Sequence, residues 1–547
     1  MKTSSRHPKG LQFLFFTEMW ERFGYYLMLG IFFLYMTDTQ KGGLSLDKKE
    51  ASDIFGTFIA LVFLTPFIGG LLADRILGYV NSIYIGGVLM GLGYMGLAIP
   101  GDTALYVSLM LIIIGNGFFK PNISTLLGNL YNTPDYSSQK DSGYNIFYMG
   151  INIGAFICNF FGAYLRNNFG WGYAFFAAGI GMFVGLIIFA LGRKHIVSAD
   201  VRKPAQSQDM SLMKILGWVL LPAILAGVAG WVLIPGNWFG SDSTDAFIFG
   251  ALPITLFYIS LYVKGDPAEK KSIGALLAIF GVVIVFWAIF KQNGTALTTW
   301  AENFTDRALS EPVARVAKPL GIVQEIDLEW AEYPVFDAQF RTSKDSLGNT
   351  LKAMGPHPYL KNLNPNEYPV QGQSLKLIST ELFQSVNPFF VVLLTPLVVG
   401  FFGFLRRHKR EPSTPAKIGW GLVITALSTL VMVGAVAVCN NGIDKASALW
   451  LISCYGVITI GELFLSPMGL SLVSKLSPPR LTAVMMGGWF LSTSIGNKLS
   501  GVLAGLWDQY QDKSYFFLTN CLGALVAAAA IFLMLKWLKQ AMGNKIT

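Results

Sequence analysis

Charge is what this sequence lacks. Only 13% of its 547 residues are Asp, Glu, Lys or Arg, against about 25% in an ordinary soluble domain. That shortage excludes a soluble globular protein. Histidine is also scarce. All four (His7, His195, His357 and His408) stand outside the apolar runs. There is no His/Asp/Glu cluster, no phosphate loop and no Ser–His arrangement, so no metal, no cofactor and no membrane enzyme is expected. The four cysteines (Cys158, Cys439, Cys454 and Cys521) are scattered through apolar segments, with no disulfide or metal spacing. No cleavable signal peptide is evident. Met1–Gly10 is polar and basic, but the run after it is too long and carries charges.

What fills the chain is apolar: 53% hydrophobic residues and a mean hydropathy of +0.50. Fourteen runs of around 20 residues suit a bilayer core of about 30 Å. Their approximate limits are 11–37, 53–73, 80–99, 104–127, 143–166, 171–191, 214–234, 246–264, 273–296, 376–404, 417–438, 447–473, 482–507 and 515–538. The expectation is an all-α polytopic membrane protein. Its net charge of +9 sits in short loops, which marks topology rather than nucleic-acid binding.

Those loops set an orientation. Lys2, Arg6 and Lys9 precede span 1, and Arg75 follows span 2. Arg193, Lys194, Arg202 and Lys203 follow span 6, and Lys264, Lys270 and Lys271 follow span 8. Arg406, Arg407, Lys409 and Arg410 follow span 10, and Lys475 and Arg480 follow span 12. Lys536, Lys539 and Lys545 end the chain. All fall on one side, so both termini are expected in the cytoplasm and the chain in the inner membrane. The hydrophilic segment 301–375 then lies outside, as a small ordered cap or a long loop.

Spans 7 and 8 carry almost no ionisable residue and read as a peripheral hairpin facing lipid. Removing them leaves six spans on each side, the arithmetic of a two-bundle transporter. The expected domains are 1–192, a linker with two extra spans at 193–272, and 273–547.

One stretch stands out, Glu18-Met19-Trp20-Glu21-Arg22-Phe23-Gly24-Tyr25-Tyr26 inside span 1. Glu18, Glu21, Arg22 and Tyr25 share one helical face, with Tyr26 on its edge. Such a face cannot look at lipid, and ionisable groups inside membranes mark function by default; the alternative is a structural Glu–Arg lock. Asn116 and Lys120 lie one turn apart in span 4, before Pro121, and Glu18 and Glu21 are obvious partners for Lys120. Asn145, Tyr148, Asn152 and Asn159 form a stripe on span 5, as helix glue or cavity lining. Gly69-Gly70-Leu71-Leu72-Ala73-Asp74-Arg75-Ile76-Leu77-Gly78 closes span 2. Its Asp74 and Arg75 read as a conformational latch or a plain turn, in a pattern that resembles the loop signature of the major facilitator superfamily.

Taken together, Glu18-x-x-Glu21-Arg22-Phe23 with Tyr25-Tyr26, the Gly69–Gly78 block, Lys120, and Phe147-Tyr148-Met149-Gly150-Ile151-Asn152-Ile153-Gly154-Ala155 resemble the proton-coupled oligopeptide transporter family, in its bacterial branch. The second half adds Phe286-Trp287-Ala288, Gly461-Glu462-Leu463, Ser466-Pro467-Met468-Gly469-Leu470 and Gly487-Gly488-Trp489-Phe490. The resemblance implies a major facilitator fold of two six-helix bundles plus the hairpin insertion. It implies a monomer, with small peptides and protons as partners. Proton coupling would fall to Glu18, Glu21 and Arg22. A zwitterionic peptide needs a cation, an anion and roomy walls. Arg22 and Lys120 supply the first and Glu462 the second. Tyr25, Tyr26 and Trp489 offer walls, and Asn152 and Asn387 offer amides. Packing for Trp489, and backbone repair before Pro388 for Asn387, are the structural alternatives. The same fold also carries drugs, nitrate and modified amino acids.

Two positions depart from the family. Leu29 stands where an arginine is common, and Lys291 where an acid is common. Lys291 is expected to pair with Glu381 as a gate, to share in coupling, and to make the cavity more positive, favouring peptides with acidic side chains.

Overall fold

The computed structural model describes residues 7–40, 42–201, 212–234, 238–337, 340–346, 350–478 and 481–542, and all their side chains except those of 138, 141, 466–468, 470, 471, 474, 475, 482, 483 and 542. Lys2, Arg6, Arg202, Lys203, Arg480 and Lys545 therefore lie outside the described residues, as do the side chains of Lys475, Ser466, Pro467, Met468 and Leu470.

The long helices are α1 (Gly10–Thr37), α2 (Lys48–Leu72), α3 (Tyr79–Gly96), α4 (Asp102–Leu130), α5 (Lys140–Phe169), α6 (Trp171–Ile196), α7 (Leu221–Leu233), α8 (Asp242–Lys264), α9 (Pro267–Phe290), α10 (Val386–Arg407), α11 (Thr414–Val438), α12 (Ala448–Leu476), α13 (Thr482–Gly505) and α14 (Lys513–Met542). Among the described residues, 11 helical segments are long and apolar enough to cross a membrane. Helices α1, α3 and α13 are less apolar. Glu18, Glu21 and Arg22 interrupt α1, five glycines dilute α3, and Ser492, Thr493, Ser494, Asn497 and Lys498 interrupt α13. Those polar side chains of α1 and α13 are all buried, so they face protein rather than lipid, where they would be costly.

The two halves repeat one packing scheme. In the first, α1 packs on α5 and α6, α3 on α4 and α6, and α2 on α4. In the second, α9 packs on α13 and α14, α11 on α12 and α14, and α10 on α12. Helix for helix these are the same five pairings, the mark of an internal structural repeat. Each half has its own apolar core.

The halves meet along two joints, α2 with α13 and α5 with α10. The first is close-packed. A Cβ on Gly501 would strike the Gly56 backbone, so only glycine fits at that crossing. Ser494 donates to the Ala60 carbonyl at 2.6 Å, and Lys498 pairs with Asp53 at 2.5 Å. Hairpin α7–α8 packs against α2, α9 and α13 and leaves Leu225, Val228, Trp231, Leu252 and Leu256 exposed. It is more than a lipid-facing ornament. Ser241 and Thr244 donate to the same Asp53 carboxylate that holds Lys498, and Ser243 does so as well, so the hairpin staples both halves.

The segment after α9 is a cap, not a loop. Three two-stranded ladders build it: β1 (Thr305–Asp306) with β6 (Ala446–Ser447), β2 (Val323–Ile326) with β5 (Leu375–Ile378), and β3 (Ala331–Pro334) with β4 (Lys352–Gly355). Buried Arg307 ties it down, donating to the Ile378 carbonyl at 2.7 Å. Asn362 donates to the carbonyls of Asn303 and Gly442. A buried chain satisfies its polar groups this way or not at all. Gln40, after α1, donates to Glu332 of the cap, and Thr342 of the cap donates to Asp508, just before α14. Helix α1 therefore ends, and α14 begins, at the cap. The start of α1 and the end of α14 lie at the opposite end.

Candidate functional site

The charged face of α1 closes on itself first. Arg22 donates Nη2 to Glu21 Oε1 at 2.6 Å, and its Nε also bonds Glu21. The same Nε lies 3.2 Å from Glu18 Oε1, one turn back. All three side chains are buried. Glu21 spends both oxygens on the guanidinium, whereas Glu18 Oε2 is buried without a hydrogen-bond partner. The Tyr25 ring lies 5.1 Å from the guanidinium carbon and packs edge-on against Tyr26 at 5.3 Å.

Lys120 does not replace Arg22 as partner of the two glutamates. It is their electrostatic neighbour, but its ammonium sits 4.3 Å from the centroid of the Phe63 ring on α2. Lys291, in the turn after α9, approaches that ring from the other half, at 5.4 Å, and also the rings of Trp287 and Phe290, each at 5.6 Å. Two ammonium groups thus share one aromatic ring: each contact is attractive, but the two like charges repel and call for a nearby anion. Phe63 carried no sign of this in the sequence; a lone Phe in an apolar span reads as packing.

Across from them stands Glu462 on α12. Asn387 donates to its Oε2 at 3.1 Å and to Thr459 Oγ1 at 2.9 Å, so the Asn387 amide orients a carboxylate. Lys291, Tyr26 and Tyr148 are the electrostatic neighbours of Glu462. Lys120, Lys291 and Glu462 are half-buried, and Tyr148 is 50% exposed. All four keep some exposure, as do Val392, Leu393 and Leu397 of α10.

Other expected residues divide. Trp489 is buried, packs edge-to-face on Phe280 at 6.3 Å and covers Gly469; here it belongs to the second core, not to the wall. Asn152 donates to the Tyr148 carbonyl one turn back, and Asn116 ties α4 to the Val62 carbonyl of α2 at 2.8 Å. Leu29 is half-buried against the first core. Asp74 and Arg75 lie in a wide π-type turn, Ala73–Leu77, which ends at Gly78 with φ +79°, a conformation glycine accepts without strain.

The expected pairing of Lys291 with Glu381 is not found. Glu381, fully buried before α10, lies 3.0 Å from Arg166 at the cap end of α5. The Arg166 guanidinium also stacks over Trp171 at 5.2 Å, whose indole donates to Asp38 at 2.7 Å. Asn167 donates to Ser379 at 2.8 Å, and Asn159 to Ser385 at 3.0 Å. The α5–α10 joint is therefore a polar ladder. Lys291 is spoken for by rings deeper in the protein, and Arg166 reaches Glu381 first. One signal pointed there: Arg166 is the lone basic residue between Lys140 and Arg193.

The PTR2 profile, described as POT family, matches residues 80–311 and 370–521, skipping 312–369 in the cap. The uncharacterized transporter YclF of Bacillus subtilis is 31% identical over 98% of this chain and 95% of its own. A di-/tripeptide transporter of Lactococcus lactis subsp. lactis is 31% identical over 96% of this chain and 95% of its own. Among solved structures, a peptide transporter POT in complex with sulfate superposes with a TM-score of 0.75 at 29% identity, over 98% of this chain and 96% of that one.

Proposed function

The chain belongs to the POT family of secondary transporters and is not an enzyme; from that premise we propose that it imports di- and tripeptides with protons by alternating access. The single observation that carries this reading is the placement of opposite charges on opposite halves. Arg22 and Lys120 come from the first half and Glu462 from the second. A zwitterionic peptide joins them only when both halves close around it.

Protons enter through the α1 cluster. Glu18 has an oxygen with no partner, so a proton there satisfies a buried lone pair and weakens the hold on Arg22. The guanidinium, released from Glu18 but still bonded to Glu21, then shares its charge with a peptide carboxylate. The peptide amine goes to Glu462, held by Asn387. With its basic loops in the cytoplasm, the fourteen-span chain sits in the inner membrane as a monomer, with the cap outside and a central space open inward. Domains 1–192 and 273–547 are the rocking bundles, and 193–272 carries the lipid-facing hairpin. The Asp74–Arg75 turn acts as a latch at the cytoplasmic mouth. The outer gate pair is Arg166 with Glu381.

Lys291 shapes the choice of peptide. The α1 acids are spent on Arg22, so Lys120 and Lys291 face Glu462 alone. Once a peptide amine takes Glu462 and the peptide carboxylate takes Arg22, Lys120 and Lys291 both lack a counter-charge, and a substrate with an acidic side chain supplies one. Proteoliposomes with an imposed pH gradient test both points. Wild type accumulates labelled dipeptide; Glu21→Gln exchanges it but no longer accumulates it, and full accumulation by that variant overturns the coupling assignment. Lys291→Gln lowers the preference for Ala-Glu over Ala-Ala by about tenfold, the worth of one charge-assisted contact. An unchanged ratio overturns the role of Lys291.

A further inference from the structure

A cavity lies at the cap end, with a volume of about 390 Å³, lined by the end of α1, the start of α2, the cap-side ends of α5 and α6, and the cap strands. That volume is within the range of small-molecule sites. Two of its charged groups are unsatisfied. The Lys48 ammonium, at the start of α2, is buried without a hydrogen-bond partner and lies 4.8 Å from the centre of the Phe336 ring. The Glu302 carboxylate, from the second half, is half-buried and, among the described residues, makes neither hydrogen bond nor ion pair. Arg307, Lys48, Asp38 and Arg166 are its electrostatic neighbours. Holding the Lys48 ammonium out of water without a partner is costly unless something pairs it, and the Glu302 carboxylate is open to a further charge. Trp330 and Tyr333 of the cap add aromatic wall, and the Trp330 side chain is exposed. The roof strands β2, β3 and β4 fall within 312–369, the stretch outside the family match.

We propose that this cavity is a docking site for the zwitterionic peptide substrate ahead of translocation, with Glu302 taking the amine, Lys48 the carboxylate, and Trp330 and Tyr333 the side chains. The proposal rests on the peptide-transport reading above. Its location sets its role. Arg166 is part of the cavity lining and holds the Glu381 ion pair that closes the α5–α10 joint. A docked peptide therefore waits on the closed gate and enters the central space when the gate parts. The cavity raises the local concentration of substrate at one face only.

Direction-resolved uptake tests this. Whole cells present the cap end to labelled dipeptide, and inverted membrane vesicles present the opposite end. Glu302→Gln and, separately, Trp330→Ala raise KM in whole cells by about tenfold, the cost of one lost charged or aromatic contact, and leave KM in inverted vesicles unchanged. Trp330 is exposed, so its truncation does not endanger folding. An N-acetylated dipeptide, lacking the amine, does not respond to Glu302→Gln. Wild-type uptake with KM unmoved in whole cells, or raised alike from both faces, overturns the docking site and leaves the transport reading standing. Absence of wild-type peptide uptake from either face overturns the transport reading and the docking site together.

Discussion

The two joints between the halves occupy equivalent places in the repeat, yet they are built in opposite ways. Helices α2 and α13 touch along their length, from Gly56 against Gly501, through Ser494 on Ala60, to Phe67 over Gly487. Helix α5 meets the turn before α10 near the cap, through Asn159–Ser385, Arg166–Glu381 and Asn167–Ser379, and α10 itself through Phe156 against Phe389. Below that ladder, Tyr148 on one side and Leu393 on the other are half exposed. The difference has a physical meaning. Backbone packing through glycine leaves no room for another partner, whereas a polar ladder can exchange its partners for water at modest cost. The glycine joint keeps the halves in register; the polar joint is the one built to open and close.

The largest expected effect comes from locking the polar joint. In Asn159→Cys/Ser385→Cys, oxidation should cut peptide uptake to background and reductant should restore it; the four native cysteines are buried and do not compete. Continued uptake in the cross-linked protein breaks the comparison. Next comes Arg166→Gln. It leaves the buried Glu381 carboxylate unpaired, which costs the closed joint about 3–5 kcal/mol. Spin labels across α5 and α10 at the cap end should then report a shift to longer distances, and Arg166→Glu/Glu381→Arg should reverse it. An unshifted distribution in Arg166→Gln means the pair holds nothing closed.

Gly501→Ala probes the other joint. A Cβ there meets the Gly56 backbone, so overpacking should destabilise the protein by about 1–3 kcal/mol, seen as a lower thermal midpoint in detergent, without the conformational shift of Arg166→Gln. The smallest effect is one of pH. In the loop between α10 and α11, the hydrogen bond from Arg406, with a second from Lys417, holds the Glu411 carboxyl at about 2, below its ordinary 4.5. A depressed carboxyl stabilises above its unfolded value and loses that contribution as pH falls through the folded one. Glu411→Gln should therefore change the thermal midpoint above pH 4.5, with the difference fading between 4.5 and about 2, while the pH profile of transport stays as in wild type. An altered transport profile would tie this loop to the moving joint.

Much of this was legible in the residues. The α1 face announced itself because Glu18, Glu21 and Arg22 recur at helical spacing inside an apolar run, where only function or tight pairing tolerates them. Lys120 and Glu462 stood out for the same reason. The segment 301–375 was visibly polar, but its cap was not, since β2 and β5 pair across about fifty residues of chain and such long-range pairings leave little local trace. Phe63 and Trp489 show the limit from both sides. One is an ordinary apolar residue that proves to serve two lysines; the other is a motif residue that proves to be packed away.

Composition and periodicity by themselves determined that this chain lies in a membrane as helices, because burying backbone in lipid leaves no alternative. They also determined which helices carry charges that must be hidden. Which charges meet was decided only by the tertiary structure. Lys291 and Glu381 are each other's plausible partner along the chain, but Arg166 comes from a helix more than two hundred residues away in sequence and takes Glu381 first. Ion pairing falls off with distance and depends on the local dielectric, and both are set by how the helices pack.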